Sequence, residues 1–210
     1  MNRTARGFAT VALAAAAFAP AHAQDPRLGN RPDAPTRTAI LAILDSAKAQ
    51  GIPLEPLVQK MNQGLAAGAD GPRIVAAVRN LKAEMATAHR ELGTVATADE
   101  IQAAAFAVHA GVPAVELGKI KKQSGLRRSL TLPFTVLADI VSRGVPVEAG
   151  VNAIRSLVGA GAKDADINNF QRNVSGDIAK GAPPAAAAET RAKAVPAGKP
   201  ESTRPDQDDF

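Results

Sequence analysis

A run of five cations without an acidic residue lies between residues 119 and 128 and is the chief charge feature of the chain. Such a run could bind an anionic envelope surface, such as phospholipid headgroups or lipopolysaccharide phosphates, or an acidic partner. It also fits the cationic end of a helix followed by a solvated loop, and we favour this interpretation because short charge runs are usually solvated. No aromatic residue interrupts the run, so it offers no platform for stacking nucleic-acid bases. The candidate anion-binding residues are Lys119, Lys121, Lys122, Arg127 and Arg128.

The histidines give little support for metal chemistry. After Ala23 the chain contains His89 and His109, and neither belongs to an HExxH, HxxxH or HxH pattern. A zinc site requires three or four ligands at usable spacing. His109 stands two residues before Gly111 near a predicted helix end, where the helix dipole favours positive charge. We therefore assign His109 a structural role and expect no metal or other cofactor.

A partial calcium-loop pattern lies near residue 164. Asp164, Asp166 and Asn168 match the first three ligand positions of a calcium-binding loop. The match then fails, because Asn169 stands where the sharp turn requires glycine and Ser175 replaces the bidentate glutamate. We expect these residues to begin a helix instead, with Asp164 as its cap.

Signatures of catalysis are missing from the sequence. It contains no GxSxG, SxxK or GxxxxGK motif, and it has no cysteine for a Cys–His pair. Glu55, Glu116 and Glu148 lie in the predicted first turns of helices, where the dipole favours negative charge. Their positions therefore have a structural explanation, and we expect the protein not to be an enzyme.

The composition excludes several classes of protein. The 210 residues contain no cysteine, which rules out a disulfide scaffold and thiolate metal sites. Only 3% of residues are aromatic, and alanine supplies much of the 46% hydrophobic content, which favours helices over sheets. The formal net charge is +5, and Arg3 and Arg6 of the N-terminal segment supply two of these charges. The remaining +3 is modest, so a nucleic-acid partner is not expected.

The segment 1–23 matches a secretory signal. Arg3 and Arg6 precede an apolar run over 8–19, and Ala21 and Ala23 place small residues before Gln24. The run is much shorter than the roughly 20 residues that span a bilayer, which argues against a membrane anchor. We predict cleavage after Ala23 and a periplasmic or secreted protein.

Composition divides the remaining chain into three parts. Residues 24–35 are rich in proline and charge and are expected to form a flexible linker. Residues 36–180 have the size of one domain and carry helical apolar spacing. The Ala/Pro-rich residues 181–210 contain only Val195 and Phe210 as large apolar residues, so we expect a disordered tail.

A Gly-x-Pro joint predicts where helices meet. Glycine closes a helix in a left-handed conformation, and proline fits the first turn of the next helix. The joint occurs at Gly51-Ile52-Pro53, Gly111-Val112-Pro113 and Gly144-Val145-Pro146. With Asp70 as a cap and Thr97 with Glu100 as a capping box, it predicts an all-α fold of about eight short helices. These helices run near 36–50, 53–67, 71–92, 98–110, 113–123, 130–143, 146–158 and 165–179.

An internal duplication accompanies the joints. Residues 51–81 align without gaps on residues 144–174, with matches that include Gly51 with Gly144 and Arg79 with Arg172. Repeated helix pairs bury their apolar faces against neighbouring pairs, so we expect a repeat-derived array, either an α-solenoid or a compact bundle. Because its polar strip is narrow, the sixth helix is expected to be the most enclosed.

These features predict an exported, non-enzymatic helical repeat protein that acts as a protein-interaction or structural module in the bacterial envelope. Its partner is expected to be a protein, which the sequence does not identify, and the oligomeric state is not indicated. The alternative is a binder of anionic lipid or envelope polymer that uses the cationic run at 119–128. Salt sensitivity of binding separates the two hypotheses.

Overall fold

The fold is known from a computed structural model, which describes residues 32–124 and 128–195. Within these residues the chain forms nine α-helices and no β-strand, which confirms the all-α prediction. The eight predicted helices are all present, with ends within about two residues of the expected positions. The helices are α1 (Ala34–Ala49), α2 (Glu55–Ala66), α3 (Gly71–Leu92), α4 (Ala98–His109), α5 (Ala114–Ser124), α6 (Thr131–Ser142), α7 (Val147–Gly159), α8 (Asp164–Ala179) and α9 (Pro184–Lys193).

The joints between helices share one hydrogen-bond pattern. At the end of α6, Gly144 donates its N–H to the Val141 carbonyl, and Val145 donates to the Ile140 carbonyl, at 2.9 and 3.0 Å. This is the Schellman arrangement, and the φ of 96° at Gly144 explains why glycine is required there. The residue after the glycine turns inward, and Val145 is buried. The same pair of bonds occurs at Gly51, Gly68, Gly111, Gly144, Gly161 and Gly181.

The helices pack in two rows. In one row α4 contacts α6 and α6 contacts α8, while in the other α3 contacts α5, α5 contacts α7 and α7 contacts α9. Contacts of α3 with α4, α6 with α7 and α8 with α9 connect the rows. Helices α1 and α2 both pack on α3. The contact between α4 and α6 is the most extensive, so these two helices form the centre of the packing.

Two clusters of buried side chains form the core. The first is built mainly from α1, α2 and α3, and the second mainly from α4 to α9. Helix α6 contributes Phe134, Val136, Leu137 and Ile140 to the second cluster, and all four side chains are fully buried. Helices α3 and α4 contribute to both clusters and therefore join them. The shared contributions are Ile74, Val78, Leu81, Met85, Ile101 and Ala105 to the first, and Ala88, Leu92, Ala103, Ala104 and Ala107 to the second.

Helix α9 corrects the expectation of disorder after residue 181. Residues 184–193 are helical, and α9 packs on α7 and α8. Ala187, Ala188 and Ala192 are buried in the second cluster, because small side chains allow a close helix approach without large apolar residues. A fourth Gly-x-Pro joint, Gly181-Ala182-Pro183, leads into this helix.

The other boundaries differ less from expectation. Residues 34 and 35, which fall within the expected linker, form the first turn of α1, where the Asp33 carboxylate accepts the Thr36 N–H at 2.9 Å. The predicted signal at 1–23, the linker up to residue 31 and the tail beyond residue 195 lie outside the described residues. Among the helices the structure describes, none is both long and apolar enough to cross a membrane.

Candidate functional site

The cationic run at 119–128 begins on the last two turns of α5, and its lysines differ in exposure. Lys119 is exposed and its Nζ lies 2.7 Å from Glu116 Oε1. Lys121 points inward, with a side chain only 13% exposed, and its Nζ lies 2.9 Å from Glu100 Oε2. Lys122 is exposed and has no carboxylate within ion-pair distance among the described residues. Lys119 and Lys122 are therefore the two lysines of the run that face solvent.

Arg128, the last cation of the run, lies just before α6. Arg128 donates from Nη2 to Asp164 Oδ1 at 2.9 Å and from Nη1 to the Ala162 carbonyl, so it links this region to the α7–α8 joint. Arg127 lies outside the described residues. Among the described cations of the run, Lys119, Lys121 and Arg128 form intramolecular ion pairs, and Lys119 and Lys122 are exposed. Anion binding by these residues stays a prediction.

Glu100 explains why Lys121 points inward. Its carboxylate is almost completely buried at the start of α4, and it accepts hydrogen bonds from the Leu130 N–H at 2.9 Å and the Thr97 N–H at 3.2 Å. Burial alone would raise the pKa of Glu100, but the Leu130 N–H, the Lys121 ammonium and the Thr97 N–H outweigh it and lower the pKa. The predicted capping box of Thr97 and Glu100 is present, and Glu100 additionally joins α4, α5 and the start of α6.

Other carboxylates link neighbouring helices. Glu116 on α5 accepts from Arg155 on α7 at 2.6 Å, and Asp177 on α8 accepts two bonds from Arg191 on α9 at 2.6 and 2.9 Å. The hydrogen bond from Lys119 lowers the pKa of Glu116, and the bonds from Arg191 lower the pKa of Asp177. A general acid at neutral pH requires the opposite shift. The hydrogen bonds themselves connect α5 with α7 and α8 with α9.

Asp139 makes a similar link between α6 and α8. Its carboxylate accepts from Arg143 on the same helix at 2.9 Å and from Gln171 on α8 at 2.8 Å. Burial raises the pKa of Asp139, but the bonds from Arg143 and Gln171 outweigh it, and the net shift is downward. Its surroundings therefore keep this carboxylate ionised.

The residues of the partial metal patterns have structural partners. His109 is exposed, and its Nδ1 lies 2.8 Å from Glu84 Oε1 on α3. Asp164 pairs with Arg128, and Asp166 accepts the Lys163 N–H at 2.9 Å. The prediction that Asp164 caps α8 is therefore wrong: Asp164 is the first residue of the helix, Lys163 holds the N-cap position, and Asp166 reaches back to the Lys163 N–H. Within 32–124 and 128–195, no three His, Cys, Asp or Glu side chains group as metal ligands.

Exposed apolar side chains flank the α4–α5 joint. Phe106 on α4 is 45% exposed and Val115 on α5 is 49% exposed. By contrast, Phe134 and Phe170 are fully buried. On α4 the side chains of Ala103, Ala104, Ala105 and Ala107 face the core while Phe106 faces solvent, which reverses the order expected from hydrophobicity. The close α4–α6 contact explains the reversal, since alanine permits an approach that phenylalanine would prevent.

A shallow cavity of about 160 Å³ lies between α8 and the C-terminal end of α9. Its floor includes the buried ring of Phe170. Polar side chains from both helices surround this floor. The main lining residues are Asp166, Asn169, Phe170, Asn173, Arg191 and Val195.

Comparison with protein-family models, with curated proteins and with solved structures finds no match to this chain.

Proposed function

We propose that this chain is an exported, non-enzymatic helical protein that presents a fixed surface to a protein partner in the bacterial envelope. The single observation that carries the proposal is the exposure of Phe106 on a helix whose opposite face is buried. Export is inferred from the signal-like segment 1–23.

The fold leaves Phe106 45% exposed to water, and a covering surface would bury this remaining part. Full burial of a phenylalanine side chain contributes about 1.5–3 kcal/mol relative to exposure. Aromatic side chains at the centre of an interface carry a large part of binding energy. Val115, on the other side of the α4–α5 joint, is the second large apolar residue exposed in this region. A protein partner that covers Phe106 would therefore recover apolar burial that the fold leaves unused.

The scaffold around Phe106 is well fixed before any partner arrives. Helix α4 packs on α3 and α6, and its first turn is held by the Thr97 capping box and by the Glu100–Lys121 ion pair. A surface that is already ordered loses little conformational entropy on binding. Phe106 thus has the preorganised setting that a binding surface requires.

Site-specific photocrosslinking tests the proposal. A photoreactive phenylalanine analogue at position 106 is expected to give one discrete crosslinked protein in the producing cells, whereas the same analogue at exposed Thr190 on α9 is not. With that protein purified, Phe106→Ala is expected to raise the Kd at least about tenfold, with Thr190→Ala unchanged. Equal crosslinking at both positions, or an unchanged Kd for Phe106→Ala, would overturn the proposal.

The alternative function is binding of anionic lipid or envelope polymer through Lys119, Lys121, Lys122, Arg127 and Arg128. The observation in its favour is that Lys119 and Lys122 lie three residues apart and both are exposed, with Lys119 also paired to the Glu116 carboxylate. Lys121 and Arg128 are held by Glu100 and Asp164, so we expect them to add little.

Vesicle co-sedimentation tests this alternative. The chain is mixed with phosphatidylcholine vesicles, with and without phosphatidylglycerol, at rising salt. Charge-driven association requires loss of binding with salt and with the pair Lys119→Gln and Lys122→Gln. The matched control is the exposed pair Lys48→Gln and Lys60→Gln on α1 and α2. Equal association of both double variants would exclude the cationic run.

A further inference from the structure

We propose that the cavity between α8 and α9 binds an extended peptide segment that presents one small apolar side chain and, two residues away along the peptide, a lysine or arginine. This site shares no residue with the α4–α5 surface, so it goes beyond the function proposed above and can fail or succeed independently of it.

The spacing of the polar residues on α8 matches an extended chain. Asp166, Asn169 and Asn173 follow one another in steps of three and four, which places them on one face of the helix. Four residues of an α-helix rise about 6 Å, and two residues of an extended chain span about 6.5 Å. Asn169 and Asn173 can therefore meet successive backbone amide groups along one edge of an extended peptide.

The two asparagines retain hydrogen-bonding capacity for this purpose. An asparagine amide offers both a donor and an acceptor, which is the pair that a backbone N–H and C=O require. Asn173 is exposed, and no residue in the described part of the chain hydrogen-bonds to its amide. Asn169 accepts a bond from Arg172, which leaves the donor hydrogens of its amide available.

The remaining walls define the side chains that fit. Phe170, which is 1% exposed, and the half-buried Val195 line the apolar part of the cavity, whose volume of about 160 Å³ is enough for one small apolar side chain. The Arg191 guanidinium is fixed by Asp177 through Nε and Nη2, so its Nη1 group can donate to a peptide carbonyl. Asp166 uses Oδ2 for the Lys163 N–H and has Oδ1 available for a cationic side chain. Charge complementarity therefore favours a peptide with a lysine or arginine at the Asp166 end.

Titration with defined peptides tests the proposal. The probe is an acetylated hexapeptide with valine at position 3 and lysine at position 5, and its counterpart carries glutamate at position 5. Binding is followed by backbone amide chemical shifts of the chain and by fluorescence polarisation of labelled peptide. The lysine peptide is expected to shift the resonances of residues 166–173 and 191–195, and the glutamate peptide is expected to bind more weakly.

Three variants sharpen the test. Asn173→Ala is expected to weaken binding of the lysine peptide about tenfold, because one donor and one acceptor are lost. Asp166→Asn keeps an acceptor for the Lys163 N–H and is expected to remove the preference for lysine over glutamate. Asn152→Ala on α7 is the matched control, since Asn152 is also an exposed helical asparagine, and it is expected to bind like the unaltered chain.

Several outcomes would overturn the proposal. One is the absence of peptide-induced shifts at 1 mM peptide, and another is equal loss of binding in Asn173→Ala and Asn152→Ala. Concentration-dependent shifts of the same resonances without peptide would identify a second copy as the occupant. Nuclear Overhauser contacts from residues 196–210 to Phe170 would assign the cavity to the chain itself.

Discussion

Glu100 is a buried carboxylate whose ionised form is stabilised by hydrogen bonds from neighbouring residues. It receives hydrogen bonds from the Thr97 and Leu130 N–H groups and from the Lys121 ammonium. Removal of one partner from a buried ion pair leaves the other charge without compensation, which costs far more than the pair gains over an apolar replacement. Substitution of Glu100 or Lys121 alone is therefore expected to destabilise the fold strongly, whereas replacement of both by apolar residues is expected to be tolerated.

Glu100→Gln tests this expectation. The variant is expected to lose about 3–5 kcal/mol of unfolding free energy, because the Lys121 ammonium remains poorly exposed without its carboxylate. Urea unfolding followed by circular dichroism at 222 nm measures the loss. Glu148→Gln, an exposed first-turn glutamate on α7, is the control and is expected to change by less than about 0.5 kcal/mol. Comparable losses in the two variants would contradict the role of Glu100.

The lowered carboxylate pKa values predict acid sensitivity. The pKa values of Glu100, Asp139 and Asp177 lie below the ordinary values of 4.5 for glutamate and 3.8 for aspartate. The unfolded chain therefore binds more protons than the folded chain in this range, so stability is fully present above about pH 5 and is lost as the pH falls. Urea midpoints at pH 7, 5, 4 and 3 are expected to be level from 7 to 5 and to fall below 5.

Asp177→Asn provides the control for this pH profile. The variant removes the Asp177–Arg191 ion pair and is expected to be less stable at pH 7, with a shallower fall toward pH 3. A profile that stays level down to pH 3 in the unaltered chain would contradict the assignment.

At the scale of the helices, glycine terminates one helix and lets the chain turn toward the next. Gly144 has a φ of 96°, and an added Cβ would lie 3.9 Å from Pro184 Cγ, so the obstacle to substitution is the backbone conformation and not space. Gly144→Ala is expected to cost about 1–2 kcal/mol. Gly176→Ala, in the interior of α8 with open space around its Cβ, is expected to gain about 0.5–1 kcal/mol. Thermal unfolding of both variants measures the difference, and shifts of the same sign would contradict the explanation.

The same joints show what could be predicted from the sequence. The three Gly-x-Pro joints at 51, 111 and 144, together with the capping residues, are sufficient to place eight helices, because the Schellman bonds depend only on local residues. The fourth joint at Gly181 is a usable signal for α9. The small number of large apolar residues after it argues for disorder, whereas the structure buries alanines there.

Tertiary contacts explain why the candidate sites were harder to predict. The cationic run is visible in the sequence, but the partner of Lys121 lies 21 residues away and that of Arg128 lies 36 residues away. No local pattern indicates these pairs. The exposure of Phe106 likewise depends on how closely α6 approaches α4, which the amphipathic spacing of α4 alone does not determine.

At the scale of the whole molecule, α3 and α4 belong to both core clusters. Helix α3 places Ile74 and Met85 in the first cluster and Leu92 in the second, and α4 divides its inward side chains in the same way. Most helical stability in proteins comes from tertiary packing. A helix that loses its packing partners in one cluster is therefore destabilised along its whole length, including the part that packs in the other cluster. The two clusters are therefore expected to unfold in one transition, although α1 and α2 contribute only to the first and α5 to α9 only to the second.

Two core truncations test this coupling. Ile74→Ala in the first cluster and Val174→Ala in the second both create cavities at fully packed positions, with an expected cost of about 2–5 kcal/mol for the isoleucine. Native-state hydrogen exchange, read by mass spectrometry for each helix, separates global from local opening. If the clusters are coupled, Ile74→Ala lowers the protection free energy of α6 and α7 as much as that of α1 and α2. Val174→Ala likewise lowers the protection free energy of α1 and α2 as much as that of α6 and α7. Helices α3 and α4 contribute buried side chains to both clusters, so they are the elements that would couple them. Loss of hydrogen-exchange protection only in the cluster that carries the substitution would show that these helices do not transmit stability.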